Sequence, residues 1–210
     1  MLPSARPAAL LSLILLASCS LTATQTQSSL RSVGEGEGVW KLEKPHASLV
    51  WRVKHMGLSN YTARFADFDA TLDFDPKNPA AARLTAIINP LSVRTDHPTD
   101  TGWDGRLGKD MFKSEQFPQI VFTSTKVEPT GAFTGKVTGD LAFLGQTHPV
   151  TLDVTFNGAA PAAALYQGRD AIGFSAKGVL KRSEFGLTRY GAFVGDTVEL
   201  VIEAEFTKAG

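Results

Sequence analysis

The chain has 210 residues, 43% apolar and 20% charged, with 21 Lys and Arg against 21 Asp and Glu. That length supports one domain with a sizeable core, and the composition excludes disorder over most of it. Balanced charge offers no general positive field for nucleic acid, and a single Cys excludes an intrachain disulfide framework or a Cys-rich metal site.

The first element in chain order reads as an address. One charge, Arg6, precedes an apolar run from Ala8 to Ala17. The run is shorter than the ~20 apolar residues a spanning helix needs. With a charge in front and small residues behind, it predicts a signal peptide over 1–18. Leu16-Ala17-Ser18-Cys19 resembles the bacterial lipoprotein box. In that reading cleavage leaves Cys19 as an acylated N-terminus, and each buried CH2 of its chains contributes ~0.8 kcal/mol to membrane anchoring. An ordinary signal peptide with a Cys near the cut would give export without the anchor. Both readings predict an exported, periplasmic protein. With the anchor, Ser20 in place of an acidic residue points to the outer membrane. Residues 19–38 are rich in Ser, Thr, Gln and Gly and predict a tether. Gly34, Gly36 and Gly38 have the wrong spacing for a phosphate loop, and a strand follows them.

From Val39 the period is two. Leu49, Trp51, Val53 and His55 share one face, as do Tyr61, Ala63 and Phe65, then Leu72 and Phe74. Asp75-Pro76-Lys77-Asn78-Pro79 is a turn by composition. Further runs are Leu84, Ala86, Ile88; Ile120, Phe122, Ser124; Val137, Gly139, Leu141, Phe143; and Val150, Leu152, Val154, Phe156. Ile172, Phe174, Ala176 and then Val198, Leu200, Ile202, Ala204, Phe206 complete the set. About eight strands in one unit over 39–208 predict an all-β sandwich or barrel. Residues 96–117 break the pattern and predict a short helical excursion around Trp103, Leu107, Met111 and Phe112. The in-facing set mixes small residues with large aromatics, so the interior is either a ligand cavity or a filled core.

Catalytic and metal motifs are scarce. His46, His55, His97 and His148 form no HExxH and no close pair, and only His55 falls on an in-facing side. Asp67/Asp69 and Asp73/Asp75 are spaced by two, and solvated faces beside turns account for them better than paired catalytic carboxylates. No Gly-x-Ser-x-Gly occurs. Neither a catalytic residue, a cofactor nor a metal is expected.

Four stretches carry a resemblance. They are His46-Ala-Ser-Leu-Val-Trp-Arg-Val-Lys-His55-Met-Gly-Leu-Ser59, and Phe117-Pro-Gln-Ile-Val-Phe-Thr-Ser-Thr-Lys-Val127. Gly139-Asp-Leu-Ala-Phe-Leu-Gly145-Gln-Thr-His-Pro-Val150 follows, and last Lys181-Arg-Ser-Glu-Phe-Gly-Leu187 with Val194-Gly-Asp-Thr-Val-Glu-Leu200. In this order and spacing they resemble the YceI-like polyisoprenoid-binding family. The excursion departs from it: the family often has Arg-Asp-x-His-Leu-Arg-Ser, and here Trp103-Asp-Gly-Arg-Leu-Gly-Lys109 stands.

The resemblance implies an antiparallel eight-stranded lipocalin-like barrel. It also implies an elongated pocket for one isoprenoid or other long-chain lipid: a polyprenyl or quinone tail, a fatty acid or an amide. Trp51, Val53, Tyr61, Phe65, Leu84, Ile88, Phe122, Phe143 and Phe174 are the expected lining. His55 and Arg106 are expected near the mouth or head group, with Met111 and Phe112 on a lid. The expected function is non-enzymatic binding, sequestration or transport. The alternatives are an enzyme using His55 on a lipophilic substrate, and a structural envelope lipoprotein with a solid core. Monomer and homodimer are both compatible with the sequence.

Overall fold

The computed structural model describes residues 38–210. The predicted signal peptide, Cys19 and the tether as far as residue 37 lie outside the described residues. Eleven strands form one antiparallel sheet: β1 (Gly38–Leu42), β2 (Ser48–His55), β3 (Ser59–Phe65), β4 (Phe68–Phe74), β5 (Arg83–Ile88), β6 (Val93–Arg94), β7 (Ile120–Pro129), β8 (Thr134–Phe143), β9 (Gln146–Ala163), β10 (Arg169–Lys181) and β11 (Val194–Lys208).

The registers reduce these eleven segments to eight staves. β2 pairs with β3 (Trp51↔Ala63) and β1 with β4 (Trp40↔Leu72), so β1–β2 and β3–β4 are two kinked strands lying side by side. β5 pairs with β4 (Ala70↔Ala86) and β6 with β3 (Phe65↔Val93), which makes β5–β6 the third. The long β11 closes the ring by pairing with β1 at one end (Trp40↔Lys208) and β2 at the other (Leu200↔Trp51). Closure pairs every stave on both sides, as expected for an up-and-down barrel, and leaves only the two residues of β6 with an unpaired edge.

The three kinks have local causes. Pro45 and Pro90 lack the N–H a continuous ladder requires, and each sits in a short 3-10 turn. Asp67 ties the kinks together. Its carboxylate accepts from Asn89 Nδ2 (3.3 Å) and Lys44 Nζ (3.2 Å), and its carbonyl accepts from Asn89 N (3.0 Å). The bond from Asn89, and then Lys44, hold the Asp67 carboxyl below its ordinary pKa. The acidic pair Asp67/Asp69 is thus a surface clamp facing Lys44, at 3.2 and 3.7 Å.

Connections at one end, here the upper, are the β2–β3 turn, the long segment 95–119, the β8–β9 turn and the loop 182–193. At the lower end are the turns 75–82, 130–133 and 164–168, together with residue 38. Segment 95–119 holds α1 (Trp103–Arg106) running into one π-helical turn (Leu107–Met111). Thr95 fixes it by donating its N–H (3.0 Å) and hydroxyl (2.7 Å) to Asp104 Oδ1. It folds inward because Leu107 and Phe112 bury against the barrel.

Alternating residues of every stave face the interior, and small ones sit where large neighbours must fit. Gly139 is the tightest case. A Cβ there would lie 2.5 Å from both Phe122 Cζ and the Thr123 carbonyl. Gly139→Ala is therefore expected to destabilise the fold by ~1–3 kcal/mol through overpacking. A lowered thermal midpoint would report it, and an unchanged one would refute the packing argument.

Candidate binding cavity

The in-facing side chains meet in places, as where Phe74 packs edge-on to Phe174 (5.9 Å), but do not fill the barrel. They leave two adjoining cavities, a lower one of ≈250 Å³ and an upper one of ≈440 Å³. Leu49, Ile88, Leu141 and Leu200 line both and form an aliphatic waist. The unfilled volume favours a ligand-holding interior over a filled core. Small-molecule pockets span ~300–1,000 Å³, a range that the two lobes reach together.

The lower lobe is almost wholly apolar. Leu84, Ala86, Phe122, Phe174, Ala176 and Ala204 are among its walls, and Thr134 is its one polar side chain. Its rim at the lower end is built of Pro79, Ala82, Gly131, Ala132 and Phe133. β7 contributes to both wall and rim through a bulge between Ser124 and Lys126. The bulge reverses the strand's phase, so that Phe122 above it and Val127 and Pro129 below it all line the lobe. Ser124 takes no part in the lining, and its hydroxyl accepts from Leu84 N (2.8 Å).

The upper lobe carries the polar groups. Trp51, Val53, His55, Tyr61 and Phe65 come from β2 and β3; Phe143 and Leu180 come from β8 and β10. The roof is Trp103, Leu107, Met111 and Phe112 of the excursion, with Leu187, Arg189, Tyr190 and Phe193 of the loop after β10. Phe112 holds the roof to the walls. Its ring lies 5.8 Å from Phe65, 5.6 Å from Phe143 and 6.4 Å from Trp51, in tilted or edge-on geometry. Trp103 Nε1 donates to the Tyr61 hydroxyl (3.1 Å), a second tie between roof and wall. The indole N–H of Trp51 is buried and has no protein acceptor. His55 stands at the exposed rim, its ring 6.4 Å from that of Tyr61.

Arg182 is the residue that sequence reasoning overlooked. It lines the upper lobe and is only 5% exposed. Its guanidinium donates to four backbone carbonyls: Gly195 (2.8 Å), Val194 (2.9 Å), Arg189 (2.9 Å) and Leu187. Loop 186–195 is in effect wrapped around one cation. The base of the loop is clamped again by Asp196, which accepts from the Ser183 hydroxyl (2.8 Å) and N–H (2.9 Å). Those two bonds, the hydroxyl's first, hold the Asp196 carboxyl below its ordinary value. The clamp's contribution is therefore full above the ordinary Asp pKa and is lost only as pH falls through the depressed one.

Twelve of the thirteen expected side chains line one lobe or both. Arg106 does not. Its guanidinium is paired with Asp100 and lies 5.7 Å from the Trp103 ring centroid, on the outer side of the excursion. The bond from Arg106 holds the Asp100 carboxyl below its ordinary pKa. Among the described residues, no three His, Cys, Asp or Glu side chains gather as a metal site. The other histidines are engaged elsewhere. His46 Nδ1 is 3.7 Å from Glu205, His97 Nδ1 accepts from Asp100 N (3.1 Å), and His148 packs edge-on to Phe185 (5.2 Å).

Comparison with known proteins bears on this cavity. The family model described as YceI-like domain matches residues 40–206. The chain is 36% identical over 169 residues to Protein YceI of Escherichia coli, covering 79% of this chain and 85% of that one. The crystal structure of a Campylobacter jejuni YceI protein superposes with a TM-score of 0.64 at 32% identity, over 75% of this chain and 90% of that one. A domain from Saccharophagus degradans, described as polyisoprenoid binding and implicated in plant cell wall breakdown, has the same fold. It aligns with a TM-score of 0.60 at 13% identity, over 81% of this chain and 98% of that one.

Proposed function

This chain belongs to the YceI-like domain family, and from that premise we propose that it binds one long-chain amphiphile without transforming it. The ligand class is a polyisoprenoid, a quinone tail, or a fatty acid or amide. One observation carries the reading: the barrel interior is hollow, and its polar groups all but one lie in the upper lobe. The tail therefore descends into the lower lobe, and the head stays above the waist. There the unpaired Trp51 N–H is a donor in need of an acceptor, which a carbonyl or phosphate oxygen of the head supplies. The driving force is burial. A tail of several isoprene units hides hundreds of Å² of apolar surface, on the order of 5–10 kcal/mol at ~25 cal/mol per Å². The exposed His55 ring stands at the rim beside Tyr61, 6.4 Å between ring centroids, where it can face the head group.

The proposed setting is the bacterial cell envelope. Export follows from the predicted signal peptide, anchoring from acylated Cys19, and the role is sequestration or transport of the lipid. Native mass spectrometry of the protein purified from a bacterial envelope tests the reading. The expected result is a mass excess equal to one amphiphile. In Phe143→Arg, which puts a charge among the Phe112 and Phe185 rings, the excess disappears while the fold, read by circular dichroism, remains. A clean mass with no uptake of a hydrophobic dye, or full lipid content in folded Phe143→Arg, overturns it.

A further inference from the structure

The upper mouth bears an apolar rim in which residues of the cavity's roof and wall extend outward into solvent. Leu58 is 83% exposed, Met56 and Phe193 56% each, and Tyr190 43%. Met56, Tyr190 and Phe193 also line the upper lobe, so this outward surface is continuous with the lining. The two loops are joined where Met56 N donates to the Phe193 carbonyl (2.6 Å). Met56 (φ 53°) and Tyr190 (φ 63°) each occupy the left-handed region, which favours Gly or Asn over bulky residues. The sequence thus keeps large apolar side chains at two strained, exposed tips where folding alone would select against them.

The same tips carry positive charge. Lys54 precedes the β2–β3 turn, and the Arg189 guanidinium lies 4.9 Å from the Tyr190 ring centroid. Neither takes part in an ion pair among the described residues. Two carboxylates belong to this loop or its base, Glu184 and Asp196, and Asp196 is engaged by Ser183. Apolar tips backed by free cations complement an anionic phospholipid surface, with apolar groups below the headgroups and cations at the phosphates.

We infer that the β2–β3 turn and the 189–193 loop dock the upper mouth onto an anionic bilayer. The inference rests on the lipid-binding reading above: an amphiphile moving between membrane and cavity through this rim avoids exposing its tail to water. Residue 38 leaves the barrel at the opposite, lower end. The nineteen residues 19–37 reach at most ~65 Å when fully extended, enough to let an anchored chain turn its mouth to the same membrane.

The test places an environment-sensitive dye at Leu58→Cys or Leu165→Cys, each in the full chain with Cys19→Ser. Leu165 is 72% exposed in the turn at the lower end and serves as the reference. The probes are phosphatidylcholine vesicles with and without phosphatidylglycerol, carrying nitroxide lipid. Position 58 is expected to be quenched on the anionic vesicles and position 165 not. Arg189→Ala and Lys54→Ala are each expected to weaken that binding about fivefold, and Phe193→Asp to abolish it. No quenching at 58, or equal quenching at 58 and 165, overturns the inference. So does a dye shift at 58 that needs no vesicles and dilutes away, since a second copy would then cover the rim. Bound lipid is read by native mass spectrometry on the dye-labelled Leu58→Cys chain, which carries no other change in the rim. Retained lipid with failed docking refutes this inference alone, and docking without any bound lipid refutes the proposed function.

Discussion

Arg182→Met is expected to cost about 3 kcal/mol and to free the loop that roofs the upper lobe. A buried guanidinium is expensive to desolvate, and here no carboxylate is in direct ion-pair contact with it, Asp196 acting only as a minor, longer-range charge. Its stabilisation comes instead from four charge-assisted bonds to the carbonyls of Leu187, Arg189, Val194 and Gly195. Hydrogen bonds to charged groups are worth ~1.5–3 kcal/mol each before the desolvation cost is set against them. Methionine fills part of the space but leaves all four acceptors without a donor. The loop is half open to water, so its carbonyls can rehydrate once it lifts away, and that limits the loss. For a domain of this size the thermal midpoint should fall by roughly 10 °C. Hydrogen exchange should accelerate over 187–195 while β8 and β9 stay protected. Arg182→Lys should recover little, because an ammonium lacks the planar fork that reaches four acceptors at once. A midpoint within ~2 °C of the parent would mean that the loop is held by other contacts, and this account of it would be wrong.

The position of Arg182 was within reach of the sequence. Ile172, Phe174 and Ala176 set the phase of β10, and continuing by twos passes Gly178 and Leu180 to arrive at 182. A charged residue on an apolar face reads as the point where a strand ends, and β10 does end at Lys181. What the pattern cannot convey is that the loop beyond curls back and supplies carbonyls to the cation. The same limit explains Arg106. The excursion is a four-residue helix and one π turn, too short for spacing to fix which side faces inward, and Asp100 draws Arg106 outward.

Staves with one buried face were legible because the alternation is the fold's own signature. Leu49, Trp51 and Val53, and Val198 to Phe206, read straight through to the interior. Features set by pairing at a distance were not. The two residues of β6 carry no periodicity, and they count as part of a stave only because Val93 pairs with Phe65. The bulge in β7 moves the inner face from Phe122 to Val127, against the alternation that placed Ser124 inside. The hollow interior was the least legible feature, since small and large residues are mixed in filled cores as well. Only the three-dimensional sum of Ala86, Ala176, Ala204 and their neighbours leaves ≈250 Å³ of space in the lower lobe.

That space gives the sharpest expected loss of function. In Ala86→Phe a phenyl ring should enter the lower lobe beside Phe122, the cross-strand partner of position 86, where Ala86 is only half-buried and borders the cavity. A cavity of ~150 Å³ accommodates one benzene, so the new ring takes more than half of the ≈250 Å³ available. The barrel should tolerate it, because the side chain fills a void and does not displace packed neighbours. A ligand tail should not. Each methylene expelled to water costs ~0.8 kcal/mol, and losing three or four of them costs ~3 kcal/mol, about a hundredfold in affinity. The effect should depend on chain length. A short amphiphile that ends at the waist of Leu49, Ile88, Leu141 and Leu200 should bind the variant and the parent alike, and a long one should bind the parent alone. Titration of the delipidated proteins with an isoprenoid series of increasing length makes the comparison. Equal weakening at every length would mean that the substitution acts through folding, and undiminished binding of the longest member would mean that no tail enters the lower lobe.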